Sequence, residues 1–201
     1  MAKELSRLYA EHELDESGFA DFHVEVRGPK SMRRWIRPQA LFYFNGSTPF
    51  KPLPADQAYP LFEWGMNWCV AIHAHQFVVL HAAVIARNNL AIIMPGEPGA
   101  GKSTLCAGLV SRGWRLLSDE LTLLDYKTGL VHPLARPINL KNNSIDIIKA
   151  FYPTAEFSDV SDDTAKGSVA LMRPPSESVR QSASPARPVA VVLPRYIENA
   201  E

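Results

Sequence analysis

A glycine-rich run that follows a short apolar segment constrains this chain more than any other feature. Residues 96–103 read GEPGAGKS and fit the pattern G-x-x-x-x-G-K-[ST]. The pattern is informative only between a strand and a helix, and both flanks fit: residues 90–94 are apolar, and residues 102–112 have helical spacing. Gly113 stands where a helix C-cap is expected. We therefore predict a strand, a tight loop and a helix in that order.

The composition of this loop suits the binding of a polyphosphate. Glycines leave backbone N–H groups accessible, and the N-terminus of the following helix adds further donors and partial positive charge. Lys102 is expected to reach the β- and γ-phosphates, and the Ser103 hydroxyl is expected to ligate Mg²⁺. We predict ATP and Mg²⁺ as cofactors, with the nucleotide held by Gly96, Glu97, Pro98, Gly99, Ala100, Gly101, Lys102, Ser103 and Thr104.

Two acidic residues follow the next predicted strand, residues 114–117. Carboxylates at the end of a buried strand can ligate Mg²⁺ or accept a proton from a hydroxyl, which are the two roles considered for Asp119 and Glu120. Their ordinary alternative is a solvated turn. The connection from the preceding helix is short, and this places them near the glycine-rich loop. If the strand continued, they would face opposite sides and have different roles.

His81 interrupts an apolar strand predicted over residues 77–86. Asn88 and Asn89 form a turn that joins this strand to the one entering the glycine-rich loop. A lone histidine in such a strand is more often a packed core residue. The alternative is that His81 approaches the same site and orients a catalytic carboxylate.

Charge and cysteine content exclude several classes of protein. The 201 residues contain 21 basic and 21 acidic side chains, so the basic excess of a nucleic-acid-binding or membrane-surface protein is absent. The N-terminus lacks the apolar core of a signal peptide, which leads us to expect a cytoplasmic protein. Cys69 and Cys106 are far apart in sequence and are expected to be buried thiols rather than metal ligands or a disulfide.

The residues from His81 to Leu124 resemble the core of HPr serine kinase/phosphorylase. A histidine-bearing strand precedes the loop by one hairpin, the helix ends in the Arg112–Gly113 step, and the next strand ends in two acidic residues. The resemblance implies an α/β fold: a P-loop-containing mixed β-sheet with flanking helices, as in the C-terminal domain of HPr kinase and in phosphoenolpyruvate carboxykinase. Residues 135–141 and 164–175 are similar to the HPr-kinase-related kinases found beside exosortase and peptide-modification systems.

The resemblance also implies roles for individual residues. Asp119 would be the catalytic base, His81 would support it, and Lys102 would act on the phosphates. Mg²⁺ would be held by Ser103, Glu120 and Asp119, although Glu120 stands where HPr kinase has a second Asp. Four basic residues are candidates for contacting the γ-phosphate or the acceptor, with solvated surface charge as their ordinary alternative: Arg136, Lys141, Lys166 and Arg173.

We thus expect a kinase that phosphorylates a serine of a protein or peptide. Two alternatives remain open at this stage: a non-catalytic nucleotide-binding regulator, and a kinase for free serine or a sugar. The expected organisation is an N-terminal β/α extension, residues 1–76, packed on a kinase domain, residues 77–201. Whether the domain is shortened after Tyr196 and whether the chain forms a homo-oligomer are left open. Polar residues 154–168 are expected to form a mobile loop.

The sequence pattern predicts four further local structures. Residues 34–44 are predicted as a strand, with Pro38 at an edge or a bulge. Residues 57–75 have helical spacing, with an apolar stripe of Leu61, Trp64, Trp68 and Ile72. Residues 144–151 are predicted as a helix that Ser144 caps, and the prolines between residues 173 and 188 predict loop rather than helix.

Overall fold

The computed structural model describes residues 1–15, 18–32 and 35–196. The N-terminal part begins with a short helix and continues into a three-stranded antiparallel sheet and a long helix. Their bounds are α1, Ala2–Leu8; β1, Val24–Arg27; β2, Gln39–Phe44; β3, Leu53–Pro54; and α2, Ala58–His73, which a 3-10 turn at Ala55–Gln57 precedes. The strand predicted across Pro38 begins only after it, because proline lacks the N–H that a ladder needs.

Helix α2 packs on β2 through an aromatic and aliphatic core. Phe42 and Leu61 are buried there, and partly buried Trp68 packs against them. The other side of α2 contacts the later chain, where Val70 packs with Leu121. The apolar stripe of Leu61, Trp64, Trp68 and Ile72 predicted this helix, but Ile72, the last member of that stripe, is 49% exposed.

A six-stranded mixed sheet forms the centre of the molecule, in the order β12-β5-β4-β7-β8, with β6 also paired to β4. The strands are β4, Phe77–Arg87; β5, Leu90–Pro95; β6, Arg115–Ser118; β7, Leu121–Asp125; β8, Val131–His132; and β12, Arg187–Val191. The β4–β5 hairpin turns at Asn88 and Asn89, both with positive φ, as predicted.

Strands β6 and β7 lie one after the other along the same edge of β4. Val84 of β4 pairs with Ser118 at the end of β6, and His81 of β4 pairs with Leu121 at the start of β7. The two intervening residues form a bend rather than ladder pairs. Because β5 and β6 are both antiparallel to β4, they are parallel to each other and end at the same edge of the sheet.

A smaller antiparallel sheet covers one face of the central sheet, in the order β10-β11-β9. Its strands and the nearby helices are α3, Lys102–Val110; β9, Ile138–Lys141; α4, Asn143–Phe151; β10, Ser161–Thr164; β11, Gly167–Met172; and α5, Ser176–Arg180. Helix α3 packs between the two sheets and contacts β4, β9 and α4. The chain is therefore an α/β protein with mixed and antiparallel sheets and flanking helices.

Successive side chains of β4 point to opposite faces of the sheet. Both faces are buried because residues 82–86 are all apolar. Ala83 and Ile85 point toward α3 and the smaller sheet, whereas Ala82, Val84 and Ala86 point into a second core on the opposite face. Cys106 belongs to the first core, and both it and Cys69 are buried free thiols, as predicted. In the described ranges, no helix has the length and apolar character needed to cross a membrane.

Three local predictions are wrong. Residues 154–168 were expected to be loop throughout, but they contain β10, whose pairing with β11 gives a hairpin. The proline-rich stretch from residue 173 to 188 was expected to lack helix, yet α5 begins directly after Pro175, where proline is well tolerated. Ser144 was expected to cap α4, but the N-cap is Asn142 and the Ser144 hydroxyl instead bonds to the backbone of Lys141.

Candidate functional site

The glycine-rich loop is a tight turn between β5 and α3. Gly99 and Gly101 have φ of 88° and 89°, a left-handed conformation in which a side chain is strained. Lys102 is buried, and its Nζ donates hydrogen bonds to the carbonyls of Gly96 at 2.6 Å and Glu97 at 3.0 Å. Helix α3 ends at Val110, and Gly113 in the turn after it has the left-handed conformation predicted for it. The N–H of Gly113 bonds to the Val110 carbonyl and that of Trp114 to the Leu109 carbonyl. The local backbone therefore matches the predicted strand, loop and helix.

A cavity of about 500 Å³ lies beside this loop. Its lining includes Lys102, Ser103 and Thr104 from the loop and the first turn of α3. Asp119 and Glu120 line the same cavity from the bend between β6 and β7. They share it because β5 and β6 end at the same edge of the sheet and because the ladder is interrupted at the bend, which removes the alternation of an extended strand.

Asp119 is buried, with 5% of its surface exposed. Its Oδ2 accepts a hydrogen bond of 2.9 Å from the backbone N–H of Asn139. Burial raises the pKa of Asp119 to about 7, and the charge of Glu120 adds to this; the Asn139 N–H, the Ser103 side chain and the charge of Lys141 oppose the rise. Near neutral pH the carboxyl is thus divided between its two protonation states, which suits a general base.

Glu120 is held by two side-chain amides. Its Oε1 accepts a hydrogen bond of 3.2 Å from Asn139 Nδ2, and its Oε2 accepts one from Asn67 Nδ2. Asn139 therefore contacts both acidic residues, one through its backbone and the other through its side chain. The amide of Asn67 is in turn oriented by Arg136, whose Nη1 donates to Asn67 Oδ1 at 2.8 Å.

The structure brings some of the predicted basic residues and His81 to the cavity, but not all of them. Lys141, Lys166 and exposed His81 line it. Desolvation lowers the pKa of Lys166, against the attraction of Glu120, and Lys141 lowers it further. His81 is not among the hydrogen-bond partners of Asp119 in the described part of the chain; that carboxyl is held by Asn139.

The other two predicted basic residues are each held in ion pairs. Arg136 is bound to Glu63, with side chains 12% and 4% exposed. Arg173 is paired with Glu11 at 2.9 Å and with Glu156 at 2.8 Å. Neither arginine is among the residues that line this cavity, although Arg136 lines a smaller cavity together with Asp119 and Glu120. Their contact with a phosphate or an acceptor stays a prediction.

The oxygen donors at the cavity supply part of a coordination shell for a divalent cation. The Asp119 Oδ1 atom is buried and makes no hydrogen bond to the described residues. Such an orphaned carboxylate oxygen near a serine hydroxyl suits a hard cation, which prefers oxygen ligands and keeps several waters. No group of three or more His, Cys, Asp or Glu residues in the described ranges could hold a metal alone. A Mg²⁺ at Ser103, Asp119 and Glu120 would therefore need further oxygens from water or a phosphate.

Asn67 and Asn139 were not predicted as site residues from the sequence. Asn139 is a buried polar residue between Ile138 and Leu140 in β9, and a polar residue within a short apolar strand was the available signal. Asn67 carries no comparable signal, because it follows Gly65 and Met66 in a helix whose pattern predicts only packing. Its partner Glu120 is 53 residues away.

No protein-family model, no curated protein and no solved structure matches this chain. The chemistry of the site therefore rests on the cavity residues themselves: the loop glycines, Lys102, Ser103 and the carboxylates of Asp119 and Glu120.

Proposed function

We propose that the chain is an ATP- and Mg²⁺-dependent kinase that transfers the γ-phosphoryl group to a hydroxyl, with a serine of a protein or peptide as its acceptor. The observation that carries the proposal is the shared cavity of Lys102, Ser103, Asp119 and Glu120. The proposal includes the P-loop fold of HPr kinase and phosphoenolpyruvate carboxykinase, which the order β5, loop, α3 and acidic bend supports.

The glycine-rich loop would bind the triphosphate. Left-handed Gly99 and Gly101 turn the backbone tightly, and the N-terminus of α3 adds donors where anionic oxygens are favoured. Lys102 would exchange its two carbonyl contacts for phosphate oxygens, and Lys141 and Lys166 line the same cavity. Mg²⁺, when bound by Ser103 and Glu120 together with phosphate oxygens and water, would neutralise phosphate charge.

Asp119 would act as the general base. Its Oδ1, which has no partner in the described chain, would take the proton of the acceptor hydroxyl. The hydroxyl oxygen then forms a bond to the γ-phosphorus as the bond from that phosphorus to the β-γ bridging oxygen breaks, and ADP leaves. Burial raises the pKa of this carboxyl to about 7, and a cation bound nearby would lower it, so that Asp119 would be ionised and able to accept the proton.

The test compares binding with transfer in matched variants. Calorimetry should show Mg-ATP binding by the wild type, loss of binding by at least a hundredfold in Lys102→Ala, and unchanged binding in the control Lys127→Ala, which alters a distant surface turn. Asp119→Asn should retain nucleotide binding within about tenfold but lose phosphate transfer to serine-containing peptides by at least a hundredfold.

Two results would contradict the proposal. Unchanged ATP affinity in Lys102→Ala would exclude this loop as the nucleotide site. If the wild type binds Mg-ATP but neither it nor Asp119→Asn transfers phosphate to any peptide, free serine or sugar, the chain is a nucleotide-binding regulator rather than a kinase.

A further inference from the structure

We propose that Asn67 of α2 is a positioning residue for Glu120, so that the segment preceding β4 completes the candidate site. This inference rests on the proposed function in one respect, namely that Glu120 holds Mg²⁺ in the Mg-ATP site. It is carried by a continuous chain of hydrogen bonds from Glu120 through Asn67 to a buried ion pair.

The amide of Asn67 has only one orientation that satisfies both of its neighbours. Arg136 can only donate hydrogen bonds, so it fixes Asn67 Oδ1 toward itself and turns Nδ2 toward Glu120. An amide turned the other way would place an acceptor against the Glu120 carboxylate. The Arg136 contact therefore makes Asn67 a directed donor for Glu120.

Arg136 is itself held rigidly from three sides. Its Nη2 donates to the Glu63 carboxylate and, at 3.0 Å, to the Glu63 carbonyl, and its Nε donates to Tyr9 Oη at 3.2 Å. Tyr9 Oη donates in turn to Glu63 at 2.8 Å. Burial opposes the charge on Arg136, but Glu63 and Tyr9 outweigh it and raise the pKa of the guanidinium. A permanently charged, fully bonded arginine is a fixed reference for Asn67.

Helix α2 also contacts a basic residue that lines the cavity. Lys166 Nζ lies 4.8 Å from the centre of the Trp64 ring, within the range of a cation–π contact. Trp64 and Asn67 are three positions apart and so lie on one side of the helix. The same helical face thus contacts an acidic residue and a basic residue of the cavity, as expected of a supporting element rather than a detached extension.

The test measures how strongly Mg²⁺ improves nucleotide binding. A ribose-labelled fluorescent ATP analogue is titrated with and without Mg²⁺ into wild type, Asn67→Ala, Glu120→Gln and the double variant. Asn67→Ala should reduce the Mg²⁺ enhancement about tenfold, as loss of a supporting contact commonly does, and leave metal-free binding within twofold. Ser178→Ala is the control. It removes the buried hydrogen bond that the Leu116 N–H donates to Ser178 Oγ, at a site outside the cavity.

The double variant separates positioning from general destabilisation. If Asn67 acts through Glu120, adding Asn67→Ala to Glu120→Gln should change the Mg²⁺ enhancement less than twofold. Two additive tenfold losses, or an equal loss in Ser178→Ala, would overturn the inference. Circular dichroism at the assay temperature confirms that each variant is folded.

The contact can also be observed without any ligand. The side-chain NH₂ resonances of Asn67 should shift in Glu120→Gln and stay in place in Lys127→Ala. An unmoved Asn67 signal in Glu120→Gln would refute the inference while leaving the proposed function intact. Conversely, failure of the wild type to bind the ATP analogue would refute the proposed function, and with it the role given to Glu120.

Discussion

Asp119 combines a buried position with a charge that the surrounding protein only partly compensates. One N–H from Asn139 and the Ser103 side chain favour the carboxylate, whereas burial and neighbouring Glu120 disfavour it. The unfavourable effects are larger, and the pKa of the carboxyl is therefore raised from 3.8 to about 7. A charge kept at such a position stores free energy that a bound cation could release.

This raised pKa predicts a pH-dependent gain in stability for Asp119→Asn. Folded Asp119 holds its proton up to about pH 7, whereas the unfolded chain loses it near 3.8, so the wild type loses stability as pH rises between these values. At pH 8 Asp119→Asn should be more stable by up to roughly 4 kcal/mol, and the gain should vanish below about pH 4. Guanidinium unfolding across this pH range measures it.

Asp125 gives a control of opposite sign. Its pKa is lowered, chiefly by the Lys127 N–H, so its charge contributes stability that is present at neutral pH and lost as pH falls through the folded pKa. Asp125→Asn should therefore destabilise the protein at pH 8. If Asp119→Asn also proved less stable than the wild type at pH 8, the carboxylate would have to be well compensated in the native state.

At the scale of elements, two helices contain an interior glycine for different reasons. A Cβ on Gly65 of α2 would overlap the ring of Phe42, which is 1% exposed in β2. A Cβ on Gly108 of α3 would meet no heavy atom within 4 Å. Gly65 is therefore required for the close approach of α2 to its sheet, whereas Gly108 is not required by local packing.

A matched pair of substitutions tests this difference. Gly65→Ala should lower the free energy of unfolding by about 2 kcal/mol because the Phe42 ring must shift in a packed core. Gly108→Ala should raise it by about 0.5–1 kcal/mol because alanine loses less backbone entropy in a helix. Chemical denaturation of both variants decides the matter, and equal changes would contradict the packing of α2 on β2.

At the scale of the whole molecule, a buried ion pair joins distant parts of the chain. Arg136 precedes β9, Glu63 belongs to α2, and Tyr9 follows α1, so one cluster connects three segments that are far apart in sequence. Leu8, Tyr59 and Leu171 form an apolar cluster that also joins α1, α2 and β11. Stability of the N-terminal segment should thus be coupled to that of the central sheet.

Removing one member of this ion pair should therefore be costly. Arg136→Met leaves the Glu63 carboxylate buried without its partner, and we expect a loss of about 3–5 kcal/mol in the free energy of unfolding. Replacing both residues, in Arg136→Met with Glu63→Leu, should recover at least half of that loss because no charge stays buried. Urea denaturation provides the measurement, and a double variant as unstable as the single one would refute a mainly electrostatic cost.

The sequence by itself determined the elements around the glycine-rich loop. Three features depend on backbone sterics within a few residues: the turn at Asn88–Asn89, the loop glycines and the left-handed Gly113. The apolar run in β4 corresponds to a strand that is buried on both faces. Short-range preferences failed where pairing intervened, as in β10, which is polar and exists through its contact with β11.

Only the tertiary structure decided which side chains share the site. The bend at Asp119 and Glu120 arises because β6 and β7 pair with different parts of β4, and this pairing turns both carboxyls toward one cavity. Arg136 and Lys141 are equally basic in sequence, yet packing of α2 beside Glu120 buries the first against Glu63 and leaves the second at the cavity. Such choices depend on which surfaces are desolvated together, and local sequence does not encode that.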